Sequence, residues 1–284
     1  MRYLLFVFSL VFSSVALGDG LYYSHLLVSE DTDNNSLWYN ESGVWLVKDE
    51  SFDIGTSVRY TNFENGQSTR LGFLFDKRFE QYGISGDLGF DELLSGYTGK
   101  ASISRWFNNG SIKLNHERGI VDSELGVSDE IAFNIYYLEG QVSWRNNTLV
   151  GIIGTTRYSD SIDNDWFRLI GTVPINNNFN LVAQYRRQEF SGDSIYYFSP
   201  SEYDRFLYGI STYYDLTENM YFRGLFLYGN QQVLERSEES YLLRASLHYQ
   251  IPDTTVELKL ELLSDTKEVE YTYNQVMLNV IFRF

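Results

Sequence analysis

The amino-acid sequence predicts an all-β protein, a transmembrane antiparallel β-barrel of about sixteen strands. The first observation is the strand period: from Phe52 onward, apolar and polar side chains alternate in segments of roughly ten to fourteen residues. The second is the aromatic content, 17% with 23 Tyr and 20 Phe. The third is that no stretch after Asp19 approaches the about 20 apolar residues that a transmembrane helix needs.

Charge and cysteine content exclude several classes of protein. The 284 residues carry 38 acids and 22 bases, a formal charge of −16, which argues against nucleic-acid binding through a broad basic face. The sequence has no Cys, which excludes a disulfide framework and thiolate metal sites. A chain this rich in aromatic residues is also not a disordered one.

The first eighteen residues predict a secretory signal peptide. A basic start at Arg2 precedes an apolar segment, residues 4–15, and small residues follow at Ala16 and Gly18. We expect cleavage after Gly18, which leaves 19–284 as the barrel domain. The alternative is an uncleaved anchor helix, for which the apolar segment is short.

The alternation assigns the strands in chain order. It is visible at Ile54 and Val58 against Asp53 and Arg59, and it is clearest in the last segment, 271–284. The predicted segments are 21–30, 37–48, 52–62, 66–79, 82–94, 97–109, 110–120, 131–146, 148–160, 164–175, 178–190, 203–216, 219–234, 240–251, 254–266 and 271–284. An even number brings both termini to one side of a closed barrel.

Connection lengths predict which side that is. Alternate connections are short and rich in turn-forming residues: 108–110, 146–147, 175–178, 215–219 and 252–253. The two longest, 118–131 and 190–203, fall at the other end. Outer-membrane barrels have short periplasmic turns and long extracellular loops, so we expect the termini in the periplasm.

A soluble sandwich or propeller is the alternative to a membrane barrel. The polar face of nearly every strand carries long charged side chains, which a packed core accepts only when they are paired. Aromatic residues also lie near strand ends, as membrane interfaces favour; these are Tyr82, Phe90, Tyr97, Trp144, Tyr158, Tyr185, Tyr214 and Phe284. A terminal Phe is typical of proteins that the barrel assembly machinery recognises. We therefore expect the bacterial outer membrane as location, with that machinery, membrane lipid and lipopolysaccharide as partners.

Side-chain parity predicts a charged lumen with a modest basic excess. The bases on the inward parity are Arg59, Arg70, Lys100, Lys113, Arg145, Arg157, Arg168, Arg186, Arg205, Arg223, Arg244, Lys259 and Arg283. The acids are Asp53, Asp76, Asp87, Asp91, Glu117, Glu139, Glu257 and Glu261. The remaining acids are assigned to the loops, at 30–33, 122–130, 160–165, 235–239 and 265–270. Such a wall either holds itself rigid by salt-bridge ladders or guides a solute.

Catalytic patterns are poor in this sequence. His25, His116 and His248 are far apart in the chain, with His116 on the lipid-facing parity and His248 inward. No local motif accompanies them, and a lone inward His is usually a structural hydrogen-bonding group. We expect neither enzyme activity nor a cofactor or metal site.

Two segments beside the long loops carry a family resemblance. The segments HERGIVDS, 116–123, and YFSPSEY, 197–203, are similar to stretches in the C-terminal barrel of the bacterial cellulose-export outer-membrane protein. The chain resembles more distantly the poly-N-acetylglucosamine export porin, also a sixteen-stranded barrel. Gly119 and Ile120 stand where the first motif has Pro. The family carries periplasmic tetratricopeptide repeats before the barrel, so the resemblance implies a separate scaffold of that kind as partner.

The resemblance implies export of an exopolysaccharide, a cellulose-like or related glycan, through an outer-membrane pore. The residues expected to bind the glycan are the flat aromatic rings and bases Tyr196, Tyr197, Phe198, Tyr203, Arg118, Asp122, Arg205, Arg223 and Arg244. Arg118 and Asp122 are expected to pair and to order their loop. The alternatives are that both motifs merely fold the loops against each other, and that the barrel is a general diffusion porin or a structural barrel without transport.

The turn-length asymmetry generates a labelling prediction. An epitope inserted at Gly192, in the long connection 190–203, is expected to be reachable by antibody on intact cells, whereas one at Asn147 is not. Flow cytometry before and after permeabilisation measures both. The reverse pattern contradicts the predicted sidedness.

Overall fold

The computed structural model describes residues 21–31, 36–48, 52–63, 66–121, 123–251, 256–268 and 271–283. The predicted signal peptide, 1–18, lies outside the described residues, so its cleavage stays a prediction. Of the helices in these ranges, none has the length and apolar character needed to span a lipid bilayer.

The described chain is a closed antiparallel barrel of sixteen strands, which confirms the predicted fold. The strands are β1 (Leu21–Asp31), β2 (Ser36–Lys48), β3 (Phe52–Phe63), β4 (Gly66–Phe79), β5 (Tyr82–Asp91), β6 (Gly96–Phe107), β7 (Gly110–Ile120), β8 (Ala132–Trp144), β9 (Asn147–Tyr158), β10 (Asp163–Pro174), β11 (Phe179–Phe190), β12 (Tyr203–Thr217), β13 (Met220–Val233), β14 (Arg236–Gln250), β15 (Val256–Glu268) and β16 (Tyr271–Arg283). A short helix, α1 (Glu124–Ser128), lies between β7 and β8. Each strand pairs with its sequence neighbours, and β1 pairs with β16 from Leu21↔Arg283 to Asp31↔Tyr273.

Short turns lie at the end of the barrel where β1 begins and β16 ends. The β8–β9 turn consists of Arg145 and Asn146, with φ of 47° and 71°. Positive φ at both central residues is the geometry of a type I′ turn, which matches the twist of the flanking strands. The long connections 121–131 and 191–202 lie at the opposite end, as predicted.

The two faces of the wall differ as the period-two pattern predicts. Outward side chains are large and exposed, for example Leu71 and Phe90 at 59% each and Ile153 at 60%. The inward side chains are polar, charged or packed in the lumen. This outer surface is the apolar band of a membrane barrel.

Several details of the parity assignment are wrong. Arg145, assigned to the lumen wall, is a residue of the β8–β9 turn. Arg157 aligns with Asn134, so it faces outward and Tyr158 faces the lumen. Strand β9 carries apolar residues on both faces, so the alternation does not determine which of its residues face the lumen.

Several acids assigned to loops lie in strands: Glu30 and Asp31 in β1, Asp163 and Asp165 in β10, and Glu268 in β15. Asp265, assigned to a loop, is an inward residue of β15, and the acids of 235–239 include β14 residues because the β13–β14 hairpin turns only at 234–235.

A charged network crosses the place where the barrel closes. Glu41 is 3% exposed. Its carboxylate accepts hydrogen bonds from Arg59 Nε at 2.5 Å and from the Tyr23 hydroxyl at 3.0 Å. His25 Nε2 lies 3.5 Å from the same carboxylate, and its Nδ1 lies 2.9 Å from Asn279 Oδ1. Strands β16, β1, β2 and β3 are thereby joined on the lumen side, and parity alone did not mark Glu41.

Substitution of Glu41 tests the contribution of this network. Glu41→Gln keeps the shape but removes the charge opposite Arg59, and we expect the free energy of unfolding to fall by about 2 kcal/mol, below the usual range for a buried pair because the Arg59 side chain is 34% exposed. Denaturant titration in detergent measures it. The control is Glu189→Gln, which breaks an exposed pair with Arg187 and should cost at most about 0.5 kcal/mol. Equal losses in both variants would contradict the role of the network.

Candidate functional site: the capped lumen

Two loops cover the long-loop end of the barrel and are named the lid, residues 121, 123–131 and 191–202. In the first loop, Ser123 caps α1 by accepting from Gly126 N at 3.0 Å. Val127 of α1 is 2% exposed, and its Cγ1 lies 3.1 Å from the position a Cβ on Gly66 would occupy. The loop after β7 therefore reaches the start of β4 and lies across the mouth.

The two halves of the lid are hydrogen-bonded to each other. The Ser123 hydroxyl donates to the Tyr196 carbonyl oxygen. The Tyr196 hydroxyl bonds to Asp129, and this hydrogen bond raises the Tyr196 pKa. Both contacts join residues about seventy positions apart, so they link the two halves of the lid directly.

Tyr197 fixes the second loop to the β9–β10 connection. Its ring stacks on inward-facing Tyr158, with centroids 4.0 Å apart and planes at 19°. Its hydroxyl donates to the Asp160 carboxylate at 3.1 Å and 3.2 Å, and Ser194 Oγ donates to Asp160 at 2.9 Å. Burial raises the Tyr197 pKa, so the hydroxyl stays a donor.

The predicted aromatic residues divide between the lid and the wall. Phe198 is 37% exposed and lies edge-on to Tyr203, with centroids 6.2 Å apart. Tyr203, the first residue of β12, is 2% exposed, and its hydroxyl donates to Gln231. Tyr203 therefore has no free ring face for a sugar, whereas Phe198 keeps one accessible.

Arg118 lies on the outer wall of the barrel. Its Nε donates to the Tyr97 carbonyl at 3.1 Å, and its Nη1 donates to Asn134 Oδ1 at 3.2 Å. Its guanidinium also lies 4.9 Å from the centre of the Tyr97 ring, which is 53% exposed. Asp122 lies outside the described residues, so the expected Arg118–Asp122 pair stays a prediction.

The three predicted lumen arginines lie in different surroundings. Arg205 is 2% exposed and donates to Ser240 Oγ at 2.8 Å and to Asp265 at 2.6 Å. Arg244 is half exposed, with Nε 3.7 Å from Glu261. Arg223 lies nearer the termini, over the rings of Tyr213 and Tyr221. They do not form one cluster.

An apolar layer fills part of the lumen. Its buried members are Val182, Leu207, Leu227 and Leu242, with Ile170, Leu225 and Leu263 packed against them. Leu207 and Leu227 are 0% and 1% exposed, although both lie on the inward parity. At this layer the lumen beside β10–β15 is packed rather than open, whereas Arg168 of β10 and Arg186 of β11 are only partly buried.

The opposite side of the lumen holds open space. A cavity of 670 Å³ lies between β1, β2, β4–β8, β15 and β16, and one of 470 Å³ lies nearer the lid. Asp87 and Lys100 line both, so the two adjoin. Arg70 donates to Asp87 at 2.6 Å across this wall. Charged and hydroxyl groups thus line these two adjoining cavities.

The histidines and acids show no metal-binding arrangement in the described ranges. Within them, no group of three or more His, Asp or Glu residues could hold a metal ion. His116 stacks on Tyr136 outside the barrel, and His248 stacks on Tyr221 inside, 2.8 Å from its hydroxyl.

Comparison with known proteins rests on structure. No protein-family model and no curated protein matches the sequence. Among solved structures, a bacterial polysaccharide outer membrane secretin has a TM-score of 0.75 at 12% identity, over 93% of this chain and 98% of that one. CdiB from Acinetobacter baumannii has a TM-score of 0.55 at 10% identity, over 94% of this chain and 60% of that one. OmpTdeltaL8, a loop-deletion mutant of an outer membrane protein of Vibrio cholerae, has a TM-score of 0.52 at 10% identity, over 93% of this chain and 99% of that one.

These similarities are similarities of fold, and the fold is that of outer-membrane proteins. The chain is a β-barrel of the bacterial outer membrane. Its exposed apolar band and closed strand ladder are what that membrane requires.

The lid contacts generate a prediction on conductance. Asp160→Ala removes the acceptor of Tyr197 and Ser194, and we expect larger and noisier single-channel currents with unchanged barrel stability, because the strand ladder is untouched. Planar-bilayer recording and thermal unfolding measure the two effects. Asp193→Ala is the control, since Asp193 is an exposed acid of the 191–202 loop that Asp160 holds through Tyr197 and Ser194. Indistinguishable currents from both variants would show that Asp160 does not hold the lid.

Proposed function

We propose that this barrel is an outer-membrane pore that exports an exopolysaccharide, a cellulose-like or related glycan. The observation that carries the proposal is the whole-length similarity to a polysaccharide secretin, which is stronger than the similarity to the Acinetobacter and Vibrio barrels. A shared fold does not by itself transfer a substrate, so the proposal also depends on the site.

The lid and the lumen support this function physically. Phe198 offers an exposed ring at the mouth, and sugar rings stack on such surfaces. The polar side of the lumen offers hydroxyl, amide and charged groups that hydrogen-bond a glycan in transit. The pore acts passively and without a cofactor. Lipopolysaccharide surrounds the lid, and a separate periplasmic repeat scaffold delivers the glycan to the other end.

A general diffusion porin is the second candidate. The observation in its favour is the pair of adjoining cavities, whose sizes suit small solutes and whose lining is charged. The two functions differ in what a cell loses without the gene: an exporter mutant lacks secreted polysaccharide, whereas a porin mutant takes up small hydrophilic solutes more slowly.

The lid residues provide the decisive test. In a strain complemented with Tyr197→Ala plus Phe198→Ala, we expect secreted polysaccharide to fall at least several-fold while the folded barrel remains at normal level, because loop side chains contribute little to the ladder. Ile195→Ala is the control, since Ile195 is 77% exposed in the same loop. Tyr203 is left intact because its burial would confuse folding with function.

Secreted polysaccharide is quantified in culture supernatant, and folding is followed by heat-modifiable gel mobility. Normal secretion in the double variant removes the lid from the export route. Normal secretion in the deletion strain, with slowed solute uptake, rejects export in favour of the porin.

A further inference from the structure

Three arginines face one another directly across adjacent strands of the lumen wall. The register aligns Arg168 of β10 with Arg186 of β11, and Arg186 with Arg205 of β12. The next positions of the same row are Ile152 on one side and Gln231 on the other, and neither is charged. We name Arg168, Arg186 and Arg205 the arginine row.

Within the described residues, a single carboxylate, that of Asp265, lies within 4.0 Å of the arginine row. Like charges directly opposite in a sheet are destabilising. Asp265 lies 2.6 Å from Arg205, but within the described residues no carboxylate lies within 4.0 Å of Arg168 or Arg186. Arg168 Nη2 donates to Gln184 at 2.8 Å, while its buried Nε has no partner among the described residues.

The surroundings strengthen any interaction made at this row. Ile170 lies two positions after Arg168, and Leu207 lies two positions after Arg205. Both belong to the apolar layer that fills part of the lumen. Electrostatic attraction beside such a layer is stronger than in bulk water. The chain's net charge of −16 does not oppose an anion here, because exposed charges beyond the Debye length of about 8 Å are largely screened.

We propose that Arg168 and Arg186, the two partly buried members of the arginine row, bind the acidic groups of the transported glycan, so that the exported polysaccharide is anionic and carries carboxylates, as uronic acids do. The inference rests on the proposed export function and names its substrate class. A planar guanidinium donates two parallel hydrogen bonds to a carboxylate, which supplies the partner that Arg168 and Arg186 lack. A neutral glycan such as cellulose itself, or a cationic one, would leave these charges uncompensated, so the row favours an acidic member of the related glycans.

The experiment measures block of the reconstituted barrel in planar bilayers. The probes are an oligogalacturonate and a maltodextrin of equal length, with inorganic phosphate as a small oxyanion. We expect oligogalacturonate to block the current at a concentration at least tenfold below that of maltodextrin, and Arg186→Gln to weaken this block at least tenfold. Arg187→Gln is the matched control, since Arg187 is the exposed neighbour on the outward face and should leave the block unchanged.

Stability separates binding from a structural role. Because the row is a like-charge contact, Arg186→Gln should leave the unfolding midpoint unchanged or raise it, whereas loss of a structural group would lower it. Arg186→Lys keeps the charge but lacks the planar guanidinium, and it should give an intermediate block. This variant keeps the test available if Arg186→Gln does not fold.

Three results overturn the inference: equal block by maltodextrin, an equal effect of Arg187→Gln, or competition by phosphate at the same concentration of anionic groups, which assigns the row to small oxyanions. If the barrel conducts and one of these results is found, the acidic substrate class is rejected and the proposed export function is not. Persistence of secretion in the deletion strain removes the export function itself.

Discussion

Closure of the sheet between β1 and β16 is the constraint on which the rest of this structure depends. In lipid, a free strand edge would leave backbone N–H and C=O groups without partners, so the sheet has to close on itself. The eleven register pairs from Leu21↔Arg283 to Asp31↔Tyr273 do this. Once the sheet is closed, every side chain is either outside in the membrane or inside the lumen, and Glu41 ties the joined strands together from within.

The sequence predicts this architecture well because the membrane imposes a strict rule at each position. Where lipid faces one side and polar groups the other, the alternation is clear, and the strands begin and end within a few residues of the predicted bounds. The alternation is less informative where both faces of a strand have the same polarity. Strand β9 has apolar residues on both faces, and the tip of the β13–β14 hairpin is polar on both, so Arg157, Glu238 and Glu239 were misassigned.

The site could be predicted only in outline. Parity places Arg205 inside, but its partner Asp265 lies 60 residues later, and no local pattern connects the two. The same holds for Ser123 with Tyr196 and for Asp160 with Tyr197. Alignment of the arginine row requires the register of β10, β11 and β12, which depends on turn geometry as well as on the alternation.

The lumen and the lid have different mechanical properties, and this decides where a gate can be. The ladder is hydrogen-bonded around the whole circumference, and the apolar layer on β10–β15 is close-packed, so neither deforms cheaply. The lid is held by the burial of Val127, a few polar contacts and one ring stack, and surface loops move within nanoseconds to microseconds. Tyr196 connects the loops after β7 and β11, and Tyr197 connects the loops after β9 and β11, so the 191–202 loop links the other two. The lid, and not the barrel wall, is therefore the part of this structure that rearranges at low cost.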